Sequence, residues 1–217
     1  MTDNELHFFE ILKVLDKSDV LKDMVLIGSW CELFYKQVFL DFEPSIRTTD
    51  LDFYIPDAKR VKQNGEIVGS LKELNYEIVY DCLTNKTRFI SPDGFELEFL
   101  TKLTRGNLKC IKIGNTGIFA ETLPYVDIFT GNYIEVKMNG LMVKVASPAS
   151  YVLQKLLINE ERKIKAEKDI QSIKRILVFI KASPKSIKEL NELFISLPKK
   201  WQRKINKVIG ENNISFN

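Results

Sequence analysis

Two aspartates, Asp50 and Asp52, stand one residue apart in the run Asp50-Leu51-Asp52-Phe53, and this spacing suits metal-dependent chemistry. Alternate side chains of an extended strand point to opposite faces, so both carboxylates emerge together while Leu51 and Phe53 face the core. Paired acids repel each other unless a cation lies between them. Magnesium takes oxygen ligands and is usually held by one or two carboxylates plus substrate phosphates. The motif therefore predicts a Mg²⁺ site of one or two ions, for which Mn²⁺ can substitute.

A second motif, Gly28-Ser29, closes an apolar run at residues 24–27. The run predicts a buried strand, and Ser29 is expected to cap an amphipathic helix that carries Trp30 and Phe34. Glycine lets the backbone come close to a ligand, and amides at a helix N-terminus donate to phosphate oxygens. The strand-to-helix corner therefore predicts a phosphate-binding turn.

Other acids of the chain are further candidates for carboxylate ligands. In the segment 95–100, Glu96 and Glu98 alternate with apolar residues, so both point to one face of the predicted strand. Asp127, flanked by apolar residues, is a reserve candidate. The alternation alone does not decide which of Glu96, Glu98 and Asp127 would join Asp50 and Asp52.

Length and composition agree with a globular protein of a reducing compartment. The chain has 217 residues, 45% of them hydrophobic, and its three cysteines, Cys31, Cys82 and Cys110, show no metal-ligand spacing. No apolar run approaches the roughly 18 to 20 residues of a membrane span, and the N-terminus lacks a signal-peptide pattern. We expect a cytoplasmic protein with no membrane partner. A single histidine, His7, argues against a Ser-His-Asp triad and against a multi-histidine zinc site.

The apolar periodicity predicts an α+β protein with two parts, residues 1–146 and 147–217. An N-terminal helix is expected at residues 5–15 and a second helix at 58–74, interrupted near Asn64-Gly65. Strands are then expected at 76–80, 87–90, 95–100, 110–113 and 133–136. From Ser147-Pro148 onward the pattern is helical, with helices expected at 149–159, 162–181, 186–197 and 200–209.

Charge divides the chain at almost the same point. Residues 146–217 contain fifteen Lys and Arg against seven Asp and Glu, a net charge of +8, which leaves −5 for the first 145 residues. The acidic part holds the predicted metal site. The basic part is able to meet phosphate or nucleic acid, although lysine-rich helix faces are commonly only solvated.

Together, the apolar-Gly28-Ser29 corner and the Asp-x-Asp strand resemble the nucleotidyltransferase superfamily that includes DNA polymerase beta. Two features resemble the AbiEii/MenT-type nucleotidyltransferase toxins and their bacterial relatives. They are the sequence Arg-Thr-Thr-Asp-Leu-Asp-Phe at residues 47–53 and the Ser147-Pro148 helix that carries Lys155. The resemblance implies a mixed β-sheet flanked by helices and followed by a C-terminal helical bundle. It also implies transfer of a nucleoside monophosphate from a nucleoside triphosphate to a hydroxyl of RNA such as tRNA, of a protein or of a small molecule. A toxin role with an antitoxin partner is implied in the same way.

The resemblance also implies roles for single residues. It favours Glu98 as the third catalytic and metal-binding acid beside Asp50 and Asp52, because Leu97-Glu98-Phe99-Leu100 is similar to the family context. The nucleotide-binding residues would be Gly28, Ser29, Arg47, Lys155 and Asp169. Arg47 would pair either with a phosphate or with the carboxylates. Lys155 would reach the phosphates from an exposed position of its helix, where replacement by Ala would hardly affect folding.

Two other functions fit the same residues. A catalytically silent scaffold would keep the site for binding or regulation. A nucleic-acid-binding protein would rely on the basic C-terminal helices, and the acids would then be incidental.

Overall fold

The computed structural model describes residues 2–45, 48–63, 66–81, 86–103 and 108–216. In these ranges the chain forms nine strands: β1 Val25–Ile27, β2 Asp50–Tyr54, β3 Glu77–Tyr80, β4 Thr87–Ile90, β5 Glu96–Lys102, β6 Cys110–Lys112, β7 Phe119–Leu123, β8 Tyr133–Met138 and β9 Leu141–Ala146. The same ranges contain seven α-helices: α1 Asp3–Lys17, α2 Cys31–Tyr35, α3 Ile67–Glu73, α4 Pro148–Ile158, α5 Ala166–Ala182, α6 Pro184–Ser196 and α7 Lys199–Glu211. The predicted α+β class, with a mixed sheet flanked by helices and followed by C-terminal helices, is confirmed.

The strands form a single mixed sheet with β2 near its centre. Seven strands lie in the order β3-β4-β5-β2-β1-β9-β8, and β7 pairs with both β5 and β6. β2 runs antiparallel to β1 and parallel to β5. The strand that carries Asp50 and Asp52 is therefore held on both edges by backbone hydrogen bonds, which fixes the direction of its side chains.

Local sequence signals set the ends of several helices. The hydroxyl of Thr2 accepts from the backbone of Glu5, whose carboxylate accepts from the Thr2 amide, and this capping box begins α1. Ser147 caps α4 ahead of Pro148, whose missing N–H costs nothing in the first turn. The apolar face of α1 then packs into the core through Phe8, Ile11, Leu12 and Leu15.

The C-terminal helices are joined to the rest of the chain by a buried polar cluster around Glu32 of α2. The Glu32 carboxylate accepts hydrogen bonds from the Tyr151 and Ser172 hydroxyls at 3.1 and 2.6 Å and from the Ser45 amide at 3.0 Å. The Arg175 guanidinium forms an ion pair with it. Glu32 is only 1% exposed. A buried carboxylate with this many donors ties α2, α4 and α5 to one another.

Three expectations about local structure are wrong. Ser29 is not an N-cap, because a 3-10 turn at Gly28–Trp30 precedes the five-residue α2 and no side chain caps it. The helix expected from residue 162 begins at Ala166, since Asn159–Glu161 and Lys163–Lys165 form 3-10 turns. The helix expected at 58–74 is shorter, since Ala58–Arg60 forms a 3-10 turn and α3 begins only at Ile67. In addition, the strands β7 and β9 were not predicted. The expected break at Asn64-Gly65 lies outside the described residues.

Among the helices that the structure describes, none has the length and apolar character needed to cross a membrane.

Candidate active site

A polar cleft of about 370 Å³ opens where the N-terminal end of β2 meets the C-terminal end of β1 and the segment that joins α4 to α5. Its lining consists of Asn4, Gly28, Ser29, Thr48, Thr49, Asp50, Asp52, Lys155, Arg162, Lys165, Lys168 and Asp169. The cleft therefore brings together six of the eight residues that the sequence nominated for the site. It places carboxylates on the sheet side opposite cations from the helical side.

Asp50 and Asp52 lie on the cleft side of β2, as strand alternation predicts. Both are partly buried, whereas Leu51 and Phe53 between and after them are fully buried. Burial raises the pKa of Asp52 to about 6, and the negative charge of Asp50 adds to the effect. A nearby cation would stabilise the ionised form of such a buried carboxyl group.

The backbone of Gly28 lies directly against the carboxylate of Asp52. Its φ of +73° lies in the left-handed region, and a Cβ atom built there would lie 2.8 Å from the Asp52 Oδ2 atom. Only glycine tolerates both this backbone conformation and this contact. The Gly-Ser corner and the Asp-x-Asp strand are therefore one packed unit.

Asp50 has a cationic partner from the other side of the cleft. The Lys165 ammonium lies 3.0 Å from the Asp50 Oδ2 atom. Partial burial of Asp50 opposes its ionisation, but the hydrogen bond and charge of Lys165 outweigh this and hold the pKa of Asp50 below its usual value. The lysine therefore balances the charge of Asp50.

Glu98 and Glu96 both lie beside β2 but have different partners. In the parallel pairing of β5 with β2, Glu98 is opposite Asp52 and Glu96 is opposite Asp50. The Lys86 ammonium lies 2.8 Å from Glu98, and Arg88 lies 2.6 Å from Glu96. Burial raises the pKa of Glu98 to about 7 against the influence of Lys86.

Neither glutamate lines the cleft. Across the described ranges, no three Asp, Glu, His or Cys side chains come together as a group that could hold a metal ion. The carboxylates that face the cleft as a pair are thus Asp50 and Asp52.

Lys155 reaches the cleft, but its expected exposure is wrong. Its side chain is only 6% exposed and forms a buried ion pair with Asp169, whose side chain is 4% exposed. The Arg162 Nε atom lies 3.1 Å from the other Asp169 oxygen. Burial lowers the pKa of Lys155, while the charge of Asp169 opposes this shift. Because one helix packs on another here, Lys155 is a structural part of the cleft floor, and replacing it by Ala is not expected to be neutral for folding.

One further candidate, Asp127, lies elsewhere. Asp127 is exposed in a 3-10 turn, Val126–Phe129, and lines a separate cleft with Lys102, Leu103, Leu123, Pro124, Tyr125, Lys200 and Trp201. Arg47 lies outside the described residues.

Sequence reasoning assigned no role to three cations of the cleft, Arg162, Lys165 and Lys168. They are spaced at intervals of three residues, which is a signal for side chains that share one side of a helical segment. That signal is common on solvated helices, so only the folded structure shows that these residues face carboxylates.

Comparison with known proteins agrees with this geometry. A family model described as nucleotidyltransferase matches residues 7–189. No curated protein matches the chain.

Solved structures share the fold at low sequence identity. An antigenic nucleotidyltransferase-like protein from Paracoccidioides brasiliensis has a TM-score of 0.52 and 16% identity, over 97% of this chain and 90% of that chain. The antibiotic-resistance factor ANT(2'')-Ia has a TM-score of 0.51 and 14% identity in its solution structure, over 87% and 89% of the two chains. Its crystal structure in complex with adenylyl-2''-tobramycin has a TM-score of 0.51 and 13% identity, over 97% and 99%. The family model spans most of the chain, including the Gly-Ser corner, the Asp-x-Asp strand and the cations opposite them, and the chain therefore belongs to the nucleotidyltransferase family.

Proposed function

We propose that this nucleotidyltransferase transfers a nucleoside monophosphate from a nucleoside triphosphate to an acceptor hydroxyl, and that Asp50 and Asp52 make the reaction depend on Mg²⁺. The observation that carries the proposal is the pair of carboxylates on β2, which face a cleft lined on its other side by Arg162, Lys165 and Lys168. A triphosphate with its metal ion needs acids for the ion and cations for the phosphates.

The donor set suits a hard divalent cation. Asp50 and Asp52 present oxygen ligands, and two protein carboxylates are sufficient for magnesium when phosphates and waters complete its shell. Burial of Asp52 beside Asp50 leaves unfavourable negative charge that a cation would relieve. The bound ion would supply charge stabilisation to the transferred phosphoryl group and would lower the pKa of the attacking hydroxyl.

The other residues would hold and orient the nucleotide. Gly28 keeps the backbone close to Asp52, and Ser29 offers a hydroxyl at the same corner. The Lys155–Asp169 pair would support the cleft floor, and it holds Arg162 toward the phosphate side through the second Asp169 oxygen. Glu98 would be the third acid after release from Lys86.

The acceptor hydroxyl would belong to a small molecule, to RNA or to a protein. The related fold of ANT(2'')-Ia was solved with adenylyl-2''-tobramycin, which makes a small-molecule hydroxyl one candidate beside RNA and protein. The toxin role and the antitoxin partner remain predictions from the sequence motif.

Nucleic-acid binding through the last helix is less favoured as the main function. Two of its lysines, Lys204 and Lys207, form ion pairs with Glu161 and Glu160 at 2.6 and 2.5 Å. These intramolecular pairs reduce the charge that α7 offers to a phosphate backbone.

Magnesium is expected to tighten triphosphate binding, because Asp50 and Asp52 would otherwise repel the phosphates. Titration calorimetry with ATP and the three other nucleoside triphosphates should show much higher affinity for one of them in Mg²⁺ than in chelator. Affinity should fall as the pH is lowered toward 6, since protons then compete for Asp52, whose pKa is about 6. Equal affinity in chelator and in magnesium would rule out the metal assignment.

Glu98 and Glu96 should differ in function although they share a strand face. We expect Glu98→Gln to reduce transfer at least about a hundredfold, since Glu98 is the neighbour of Asp52. Glu96→Gln should retain most activity, because the family context that Leu97-Glu98-Phe99-Leu100 resembles has its acid at the position of Glu98. The assay is the initial rate of label transfer by each variant. Equal, small losses in both variants would show that the third acid lies elsewhere.

A further inference from the structure

Lys165 differs from the other cations that contact acids of the cleft. Lys155 and Arg162 both contact Asp169, whereas Lys165 reaches across the cleft to Asp50. Its side chain is 58% exposed, compared with 6% for Lys155. The Lys165 ammonium can therefore leave its present partner without opening the core.

Lys165 also lies in a short turn at the surface. It ends the 3-10 turn Lys163–Lys165, in which the side chain of Ile164 is 98% exposed. An exposed turn of this kind leaves the Lys165 side chain room to change its partner.

We propose that Lys165 is a cation that positions the triphosphate in the cleft, and that it pairs with Asp50 when no nucleotide is bound; this inference rests on the proposed function. The Asp50 Oδ2 atom cannot accept a full hydrogen bond from the Lys165 ammonium and also coordinate a metal ion. With a metal ion and a triphosphate bound, Asp50 would hold the ion, and the Lys165 ammonium would donate to a phosphate oxygen instead. The lysine thus exchanges one anionic partner for another, and the charge of the cleft stays balanced at each stage.

This exchange assigns different tasks to Lys155 and Lys165. Lys155 keeps Asp169 in place, and Lys165 meets the ligand. The prediction that follows is a pair of opposite effects: loss of Lys165 should favour a metal ion alone and disfavour a triphosphate. A lysine that merely stabilises the fold would give neither effect.

The test is titration calorimetry of the full chain with two probes, Mn²⁺ alone and inorganic tripolyphosphate in Mg²⁺, which needs no base recognition. For Lys165→Ala we expect tripolyphosphate to bind about tenfold more weakly, the size of one charge-assisted hydrogen bond, and Mn²⁺ alone to bind about threefold more tightly. Lys165→Arg should restore most of the tripolyphosphate affinity. The thermal midpoint should not change, because the side chain is exposed.

Lys163→Ala is the matched control, because it removes a lysine from the same turn but outside the cleft lining. It should leave both affinities unchanged. Tripolyphosphate affinity in Lys165→Ala equal to that of the wild type would overturn the role of Lys165 alone, and so would equal losses in Lys165→Ala and Lys163→Ala. Absence of tripolyphosphate binding to the wild-type protein in magnesium would overturn both this inference and the proposed function.

Discussion

Asp52→Asn is expected to reduce nucleotidyl transfer at least about a hundredfold, and by more if both metal positions depend on it. Asp52 lies between Gly28 and Glu98, and its carboxylate lies against the backbone of Gly28, where there is no room for a side chain. Asparagine keeps the size of the side chain but lacks the negative charge that a metal ion needs. The initial rate of label transfer at saturating triphosphate measures the loss.

The same substitution should not harm the fold. Burial and the charge of Asp50 both disfavour the ionised form of Asp52, so removing that charge should leave the thermal midpoint equal or higher. Asp127→Asn is the matched control, since Asp127 is an exposed acid in a different cleft. A near-normal rate in Asp52→Asn would contradict the assignment, as would a comparable loss in Asp127→Asn.

Glu32→Ala is expected to produce the largest loss of stability, about 3 kcal/mol in the free energy of unfolding. The change removes the acceptor of the Tyr151 and Ser172 hydroxyls and leaves Arg175 without its carboxylate at the contact between α2 and α5. For a chain of this length, such a loss corresponds to a fall of about 10 °C in the thermal midpoint. Thermal and urea unfolding followed by circular dichroism measure both quantities.

Two variants separate the buried cluster from a general effect of removing a carboxylate. Glu32→Gln keeps an acceptor oxygen and should lose less stability than Glu32→Ala. Glu43→Ala removes a carboxylate that is 84% exposed and pairs with Lys36 on the surface, and it should be close to neutral. If Glu32→Ala were as stable as Glu43→Ala, the cluster would not be what joins the C-terminal helices to the sheet.

The elements that position the acids could be predicted because their signals are local. Polar and apolar residues alternate over Asp50-Leu51-Asp52-Phe53, which assigns them to the two faces of one strand. This pattern is visible in the sequence without knowledge of the neighbouring strands. Gly28 was identified for its backbone freedom, and the structure shows both the positive φ and the contact with Asp52 that require it. The helix start at Ser147-Pro148 is equally local and is observed.

The helical side of the cleft could not be predicted in the same way. Lys155 reads as an exposed lysine in sequence, yet it is buried because α5 supplies Asp169 across from it. Lys165 reads as one charge in a basic run, and its contact with Asp50 joins residues 115 positions apart. Glu32 was overlooked because a glutamate within a short helix gives no sign of the four donors that reach it from other segments and bury it. These roles arise from tertiary contacts, which local periodicity does not encode.

The most direct test of the central claim is transfer of the α-phosphate. The wild-type protein is incubated with each of the four α-³²P-labelled nucleoside triphosphates, magnesium and a total cell extract separated into RNA, protein and small-molecule fractions. The account predicts that label from at least one triphosphate enters one fraction in a reaction that needs magnesium and is lost in Asp52→Asn. Absence of label from every fraction with all four triphosphates, or equal labelling by the wild type and Asp52→Asn, would contradict it.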